Sequence, residues 1–511
     1  MSATATTFLL LLLLLAVGMT RSTTTSTQEQ EALRRARAMV LHASNWVHQA
    51  SLTLHGLDSG HTLKSGNSLA LSDCAKLYNE SEYRLSFLLS GEGYNIDDTR
   101  TWLSAVHTNH RTCLDGLNEK GFVRANNAVS HNLTVFLSEG LALYRKGKGT
   151  KQGKDGYQNG GILVSWSPAT SRADFMVAKD GCGTHRTINE AVAAAARMDN
   201  SHLGRVIIYV KAGVYNENVE IERNAKNIMM VGDGMNRTIV TGNQNVPGGT
   251  TTYSSATFGV SGDGFWARDM TFENTAGPEK RQAVALRVNS DRSIFYRCCF
   301  RGYQDTLFVH SLRQFYRDCQ IYGTIDFIFD DAPAVFQNCD IFVRKPMSLQ
   351  ANIITAQGRE NPNENTGISI QGSRVRPAPD LVPVKDSFKT YLGRPWKENS
   401  STVFMKTDLD GLIYPKGWVE WSGGFALSTL FYAEYMNTGG GASTANRVKW
   451  PGFHVLKSCK KASPFELSNF IQGESWIPEA VCHSLLKFNG SLLNFQACVL
   501  RKILSCLVLM N

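Results

Sequence analysis

The chain has 511 residues, 42% of them hydrophobic and 19% charged, with a formal charge of +9. That composition excludes a chain too polar to collapse, and the length leaves room for two or more domains. The basic balance suits an anionic partner, whether nucleic acid, a membrane surface or an acidic polysaccharide, and does not choose among them.

Phe8 to Val17 is an unbroken apolar run followed by small and polar residues. It is short for a membrane span and reads as a secretory h-region, so residues 1-22 are expected to form a signal peptide. No basic residue precedes the run, and a retained anchor is the alternative. Eleven cysteines and sequons at Asn79, Asn132, Asn236, Asn399 and Asn489 fit secretion, the odd cysteine count leaving at least one unpaired or paired between chains. A secreted context points away from nucleic acid and towards a polysaccharide.

Residues 23-143 read as an all-α helix bundle. Leu71, Cys74, Leu77 and Tyr78 recur at helical spacing, as do Trp102, Val106 and Cys113. Cys74 and Cys113 fall on two separate predicted helices, either joined as a disulfide or kept as two buried thiols. Residues 144-173 are assigned to a basic, Gly-rich linker on the strength of "YRKGKGTKQGKDGYQNGG" at its start.

From 174 to 480 the period changes to two, with short apolar strands between Gly/Asn turns. A repeat then emerges. Phe295, Phe315 and Val335 begin similar segments 20 residues apart, and Cys299, Cys319 and Cys339 hold the fifth place in each. One such repeat suits one coil of a parallel β-helix, which stacks equivalent positions about 4.8 Å apart. The three cysteines are then expected to form a ladder, as a stack of thiols or with one disulfide.

Within that frame Asp326 stands out, because "GTIDFIFDD" reads as a strand and a buried carboxylate there is costly unless paired or used. Asp305 precedes it by 21 residues, which places the two side by side on adjacent coils. Two carboxyls that close do not both ionise freely, so one retains a proton. The pair then supplies a nucleophile or base and an acid, the needs of ester cleavage. Gln304, and Gln282 one coil earlier, are neutral donors for an oxyanion. Arg394 supplies a fixed charge to keep one aspartate ionised, and Trp396 a flat face for a sugar. Each has a plainer reading as ladder, surface charge or core, and the case rests on the group.

The motifs "GVYNENVEI", "GFWARDMTFENTAGP", "QAVALR", "GYQDTL", "GTIDFIF", "LGRPW" and "RVKWPGFHV" run in order over about 300 residues. On them the chain resembles the plant pectin methylesterases (pectinesterases). "LSDCAKLY" and "TWLSAVHTNHRTCLDG" resemble the inhibitor-like pro-region of that family. The resemblance implies an all-β right-handed parallel β-helix catalytic domain behind the helical pro-region. It implies a carboxylic ester hydrolase that frees carboxylates and methanol from methyl-esterified homogalacturonan in the cell wall, as a secreted monomer without a cofactor. Pectin methylesterase inhibitor proteins are implied partners and nucleic acid is not. By motif, Asp326 resembles the nucleophile that forms an acyl-enzyme and Asp305 the acid and later base. Gln282 and Gln304 resemble the oxyanion donors. Arg394 resembles the residue orienting Asp326, and Trp396 a cleft wall, with Gln282 and Arg394 also meeting substrate. No G-x-S-x-G or H-E-x-x-H is present.

The chain departs from the family in three places. Asp330 stands where the family has Gly; on a continuing strand it faces the same side as Asp326 and is expected to raise that group's pKa. A catalytically weakened pectin-binding protein is therefore the alternative reading, and glycosidic cleavage on the same solenoid a third. The pro-region lacks the early cysteine pair and the Arg-Arg-Leu-Leu-like processing signal. Residues 481-511 form an atypical apolar tail.

Overall fold

The computed structural model describes residues 27–56, 65–91, 93–121, 127–144, 162–198 and 204–477. The expected signal peptide, the linker residues 145–161 and the tail 481–511 lie outside them. The chain divides into two compact units, Met1–Thr150 and Lys151–Asn511.

The first unit contains helices α1 (Thr27–Gly56), α2 (Ser65–Ser90), α3 (Ile96–Glu119) and α4 (Asn127–Tyr144). The residues picked out by spacing, Leu71, Leu77 and Tyr78 on α2 with Trp102 and Val106 on α3, are all buried. Asn95 starts α3 by accepting from the Asp98 backbone, while the Asp98 carboxylate accepts from the Asn95 N–H at 3.1 Å. Cys74 and Cys113 form a disulfide, which joins α2 to α3.

The second unit is a parallel β-helix. Its strands form three parallel sheets of eleven, seven and eight strands. Each coil visits the sheets in turn because Gly, Asn and Asp corners interrupt short apolar runs. Inward residues stack coil on coil: Phe295 lies on Tyr316 with ring centroids 5.0 Å apart, and Tyr316 on Phe336 at 4.5 Å. The helix Ile188–Ala195 buries Ile188, Ala191, Val192 and Ala195 against the same core.

The register corrects the sequence repeat by one residue. Phe295 pairs with Tyr316 rather than Phe315, an offset of 21, whereas Phe315 pairs with Val335 at an offset of 20. The inward cysteine stack is therefore Cys298, Cys319 and Cys339, and Cys299 pairs with Gln320. All four are buried free thiols. Cys298 and Cys299 are adjacent, so similarity of spelling could not tell which one points inward.

Residues 162–166, assigned above to the linker, pack on the solenoid. Leu163 and Trp166 join Ile207, Val231, Trp266 and Ile294 in an outer cluster that also takes in Leu467, Ile471 and Trp476. Arg268 secures the turn by donating to the carbonyls of Leu163 at 2.6 Å and Trp166 at 2.9 Å. Composition weighs that stretch by its basic start and overlooks the apolar residues at its end.

Candidate active site

Asp305 and Asp326 occupy one corner of the solenoid on consecutive coils. The Asp305 N–H donates to Ile325 O at 3.0 Å, the Leu307 N–H to Phe327 O at 3.0 Å, and Leu307 pairs with Ile328. Asp326 is not in the strand that the sequence suggests; the strand is Ile328–Asp330, and Asp326 turns into it. Both aspartates have left-handed backbone, with φ of 61° and 51°. Their short polar side chains tolerate that region better than most.

A shared local pattern makes the corner. Each aspartate is the fourth residue of a Gly-x-x-Asp stretch, Gly302 to Asp305 and Gly323 to Asp326. A Cβ on Gly302 would lie 2.7 Å from Thr306 Oγ1, and one on Gly323 would lie 2.2 Å from Phe327 Cβ. In both turns the chain folds back onto the residue four positions later, and only glycine fits.

Both aspartates are buried, Asp305 at 7% and Asp326 at 6% exposure. Arg394 meets Asp326 in a two-pronged pair, Nε to Oδ1 at 2.9 Å and Nη2 to Oδ2 at 2.5 Å. Burial pushes the Asp326 carboxyl above the ordinary range, and the charge and hydrogen bonds of Arg394 pull it back. Burial also works against the Arg394 charge, but Asp326 and then Asp305 carry its pKa upward. Arg394 is placed by its backbone, which donates to Thr355 O at 3.0 Å, and by Gly393, whose Cβ would collide with Thr355 Oγ1 at 2.2 Å. Its guanidinium lies 4.2 Å from the ring centre of Trp421.

Gln282 and Gln304 are bridged in parallel on neighbouring coils and both are half-buried. Their offset is 22, whereas Leu286 pairs with Leu307 at 21, so the additional residue is absorbed between Gln282 and Leu286. Gln304 directly precedes Asp305 in the chain. Trp396 is half-buried and meets Phe329 edge-on at 6.2 Å, and Phe329 stacks on Phe308 at 4.4 Å. All six residues singled out from sequence thus lie at this corner or on the strands and loops that flank it.

Asp330 ends its strand opposite Gln357, fully buried, with φ of 86°. The expectation of simple alternation from Asp326 fails, since Asp326 lies in the turn and not on the strand. The left-handed backbone accords with the glycine expected there.

Sequence reading missed Trp421, Phe308 and Phe329. Trp421 is 39% exposed, and a tryptophan directly before the Gly-rich "SGG" was the available signal. Among the described residues no three metal-ligating side chains converge, and no helix is long and apolar enough to cross a membrane.

Comparison with known proteins agrees with this fold. The family model described as pectinesterase matches residues 174–474, and that of the plant invertase/pectin methylesterase inhibitor matches residues 17–143. The chain is 62% identical to probable pectinesterase/pectinesterase inhibitor 36 of Arabidopsis thaliana, over 80% of this chain and 85% of that protein. It is 52% identical to pectinesterase 2 of Citrus sinensis, over 80% of each. The solved pectin methylesterase from carrot is 53% identical with a TM-score of 0.60, covering 62% of this chain and 98% of that one. A pectin methylesterase in complex with a hexasaccharide is 29% identical with a TM-score of 0.50, covering 60% of this chain and 99% of that one.

Proposed function

The chain belongs to the pectinesterase family of carboxylic ester hydrolases, with an inhibitor-family domain before the esterase, and we propose that it de-esterifies homogalacturonan through an aspartyl acyl-enzyme at the Asp305–Asp326 corner. The observation that carries this reading is the two-pronged Arg394–Asp326 pair beside a second buried aspartate on the next coil.

The ionised Asp326 attacks the C6 carbonyl of a methylated galacturonate, and the carbonyl π pair moves onto oxygen. Gln304 and Gln282 donate hydrogen bonds from their amides to that oxyanion. Collapse breaks the bond to the methoxy oxygen, which takes the Asp305 proton and leaves as methanol. The ionised Asp305 then removes a proton from water, whose oxygen attacks the acyl carbon. The bond to Asp326 breaks, and the polymer keeps a free carboxylate. A nucleophile raised by burial and steadied by Arg394 is more basic than a free aspartate while still ionised when needed. Trp396, supported from beneath by Phe329 and Phe308, faces the sugar chain.

The basic chain suits the polyanionic product as well as the substrate. We assign the protein to the cell wall, acting as a monomer, with inhibitor-family proteins as partners. The test is methanol release from highly methylated pectin by protein made from the full chain, before and after limited trypsin treatment, beside Asp326→Ala. Release that disappears in the variant is expected. Pectin binding without release in either condition would favour the weakened, binding-only reading and overturn this one.

A further inference from the structure

The esterase reading uses Arg394 and leaves a second arginine at the same corner unassigned. Arg344 follows the strand Asp340–Val343, on the coil after that of Asp326. Its N–H donates to Gly323 O at 2.8 Å, which ties it to the turn leading to Asp326. Its side chain then reaches back across that coil to the turn leading to Asp305. There Nη1 donates to Gly302 O at 3.0 Å and Nη2 to the Tyr303 hydroxyl at 2.6 Å. The guanidinium also lies 3.7 Å from the centre of the Tyr303 ring, and Asp380 holds its Nε edge at 3.4 Å.

We propose that Arg344 is a positioning residue for the reaction, a strut that fixes the Gly302–Tyr303 turn and so the placement of Gln304 and Asp305 against Asp326. This rests on the esterase reading above. The two Gly-x-x-Asp turns meet their neighbouring coils through main-chain hydrogen bonds, but a side chain that spans three coils fixes their relative position directly. The oxyanion donor and the acid both follow Tyr303 without an intervening residue of slack. Each nitrogen of the Arg344 guanidinium meets a protein group and its planar face lies against the Tyr303 ring, which ties its contacts to the scaffold. Lysine cannot replace it, because a point charge cannot hold a carbonyl, a hydroxyl and a carboxylate from one planar group.

The test compares full-chain wild type with Arg344→Ala, Arg344→Lys and Tyr303→Phe, in steady-state methanol release and in thermal melting. A misplacement of about 1 Å costs about a hundredfold in rate. The expected result for Arg344→Ala is a fall in kcat of about ten- to a hundredfold at nearly constant KM, with little recovery in Arg344→Lys. Tyr303→Phe keeps the ring and loses one hydrogen bond, so it should show a smaller fall of the same kind, and it decides the question if Arg344→Ala does not fold. An unchanged kcat in a folded variant, or a raised KM at unchanged kcat, overturns the proposal, the latter by making Arg344 a polymer contact. Absence of release by the wild type overturns the esterase reading itself, an outcome distinct from either.

Discussion

Replacing Arg394 with Gln tests the electrostatics of Asp326, the proposed nucleophile, most directly. The substitution removes the charge and, because glutamine is shorter, both hydrogen bonds to Asp326, at 2.9 and 2.5 Å. Hydrogen bonds to charged groups contribute about 1.5–3 kcal/mol each, and the Arg394 side chain is 24% exposed, so little solvent screening applies. A loss of about 3–4 kcal/mol in transition-state stabilisation, or roughly two to three powers of ten in kcat/KM at neutral pH, is expected. Two opposing influences act on Asp326, and the substitution leaves only burial, which raises its pKa. The acid limb of the kcat/KM profile should therefore move to higher pH, and part of the loss should be regained in alkaline buffer. Stability must move in the opposite sense. A carboxyl whose folded pKa lies above its unfolded value binds more protons when folded, so stability falls as pH rises from the unfolded towards the folded pKa. The melting temperature of Arg394→Gln should lie furthest below wild type at neutral pH and approach it as the solution is acidified. The pH–rate profile decides the matter: an acid limb that stays in place would refute the claim that Arg394 sets the ionisation of Asp326.

Two further predictions concern groups outside the catalytic corner. His110 on α3 is buried, with Tyr78 Oη 2.9 Å from Nδ1 and Ser130 O 3.2 Å from Nε2; burial and then His107 push its pKa down to about 4. The unfolded chain takes up that proton near 6.5, so the helical unit should be fully stable above that pH and lose about 3 kcal/mol as pH falls from 6.5 to 4; far-UV circular dichroism melts would show this, and an equally steep loss in His110→Asn would assign it elsewhere. Asp330→Gly relieves a left-handed residue at a cost of order 1–3 kcal/mol, offset by about 0.5–1 kcal/mol of extra freedom in the unfolded glycine. A net gain of about 1 kcal/mol in stability is expected, and a lower melting temperature would show that the aspartate is held by contacts worth more than the strain.

The features legible in sequence are those encoded by periodicity and by residue type at a turn. Period two in the second unit and helical spacing in the first point to both architectures, and the distances between Asp305, Asp326, Gln282 and Gln304 are enough to bring them to one corner. Register is less accessible. The coil from Phe295 has 21 residues and the next has 20, yet both begin with a similar aromatic-rich phrase, so the repeat selects Cys299 where the inward cysteine is Cys298. Asp326 reads as a strand residue because Ile325 and Phe327 flank it, while its positive φ is a property of the turn that no apolar count contains. Trp421 has a local signal in its Gly-rich stretch, but its meeting with Arg394 has none, because it depends on the chain returning on the next coil, where Gly393 bridges to Trp418.

Left-handed aspartates do not by themselves make a site in this solenoid, and the comparison within the molecule shows what does. Asp269 and Asp318 also have positive φ, at 58° and 53°, at a corner on other strands. Like Asp305 and Asp326 they occupy a turn with left-handed backbone, which Arg297 adopts on the coil between them and Asn338 one coil further on. Yet their carboxylates keep more access to water, at 17% and 28% side-chain exposure against 8% for Asp326, and their partners are Arg268 and Arg297 for Asp269 and Arg317 for Asp318. At the Asp305–Asp326 corner the same backbone device is combined with burial on both coils and one guanidinium fixed by Gly393. Backbone sterics thus explain why aspartate can stand at each corner, and the proposed chemistry draws on the corner where two aspartates are buried together beside the Arg394 guanidinium.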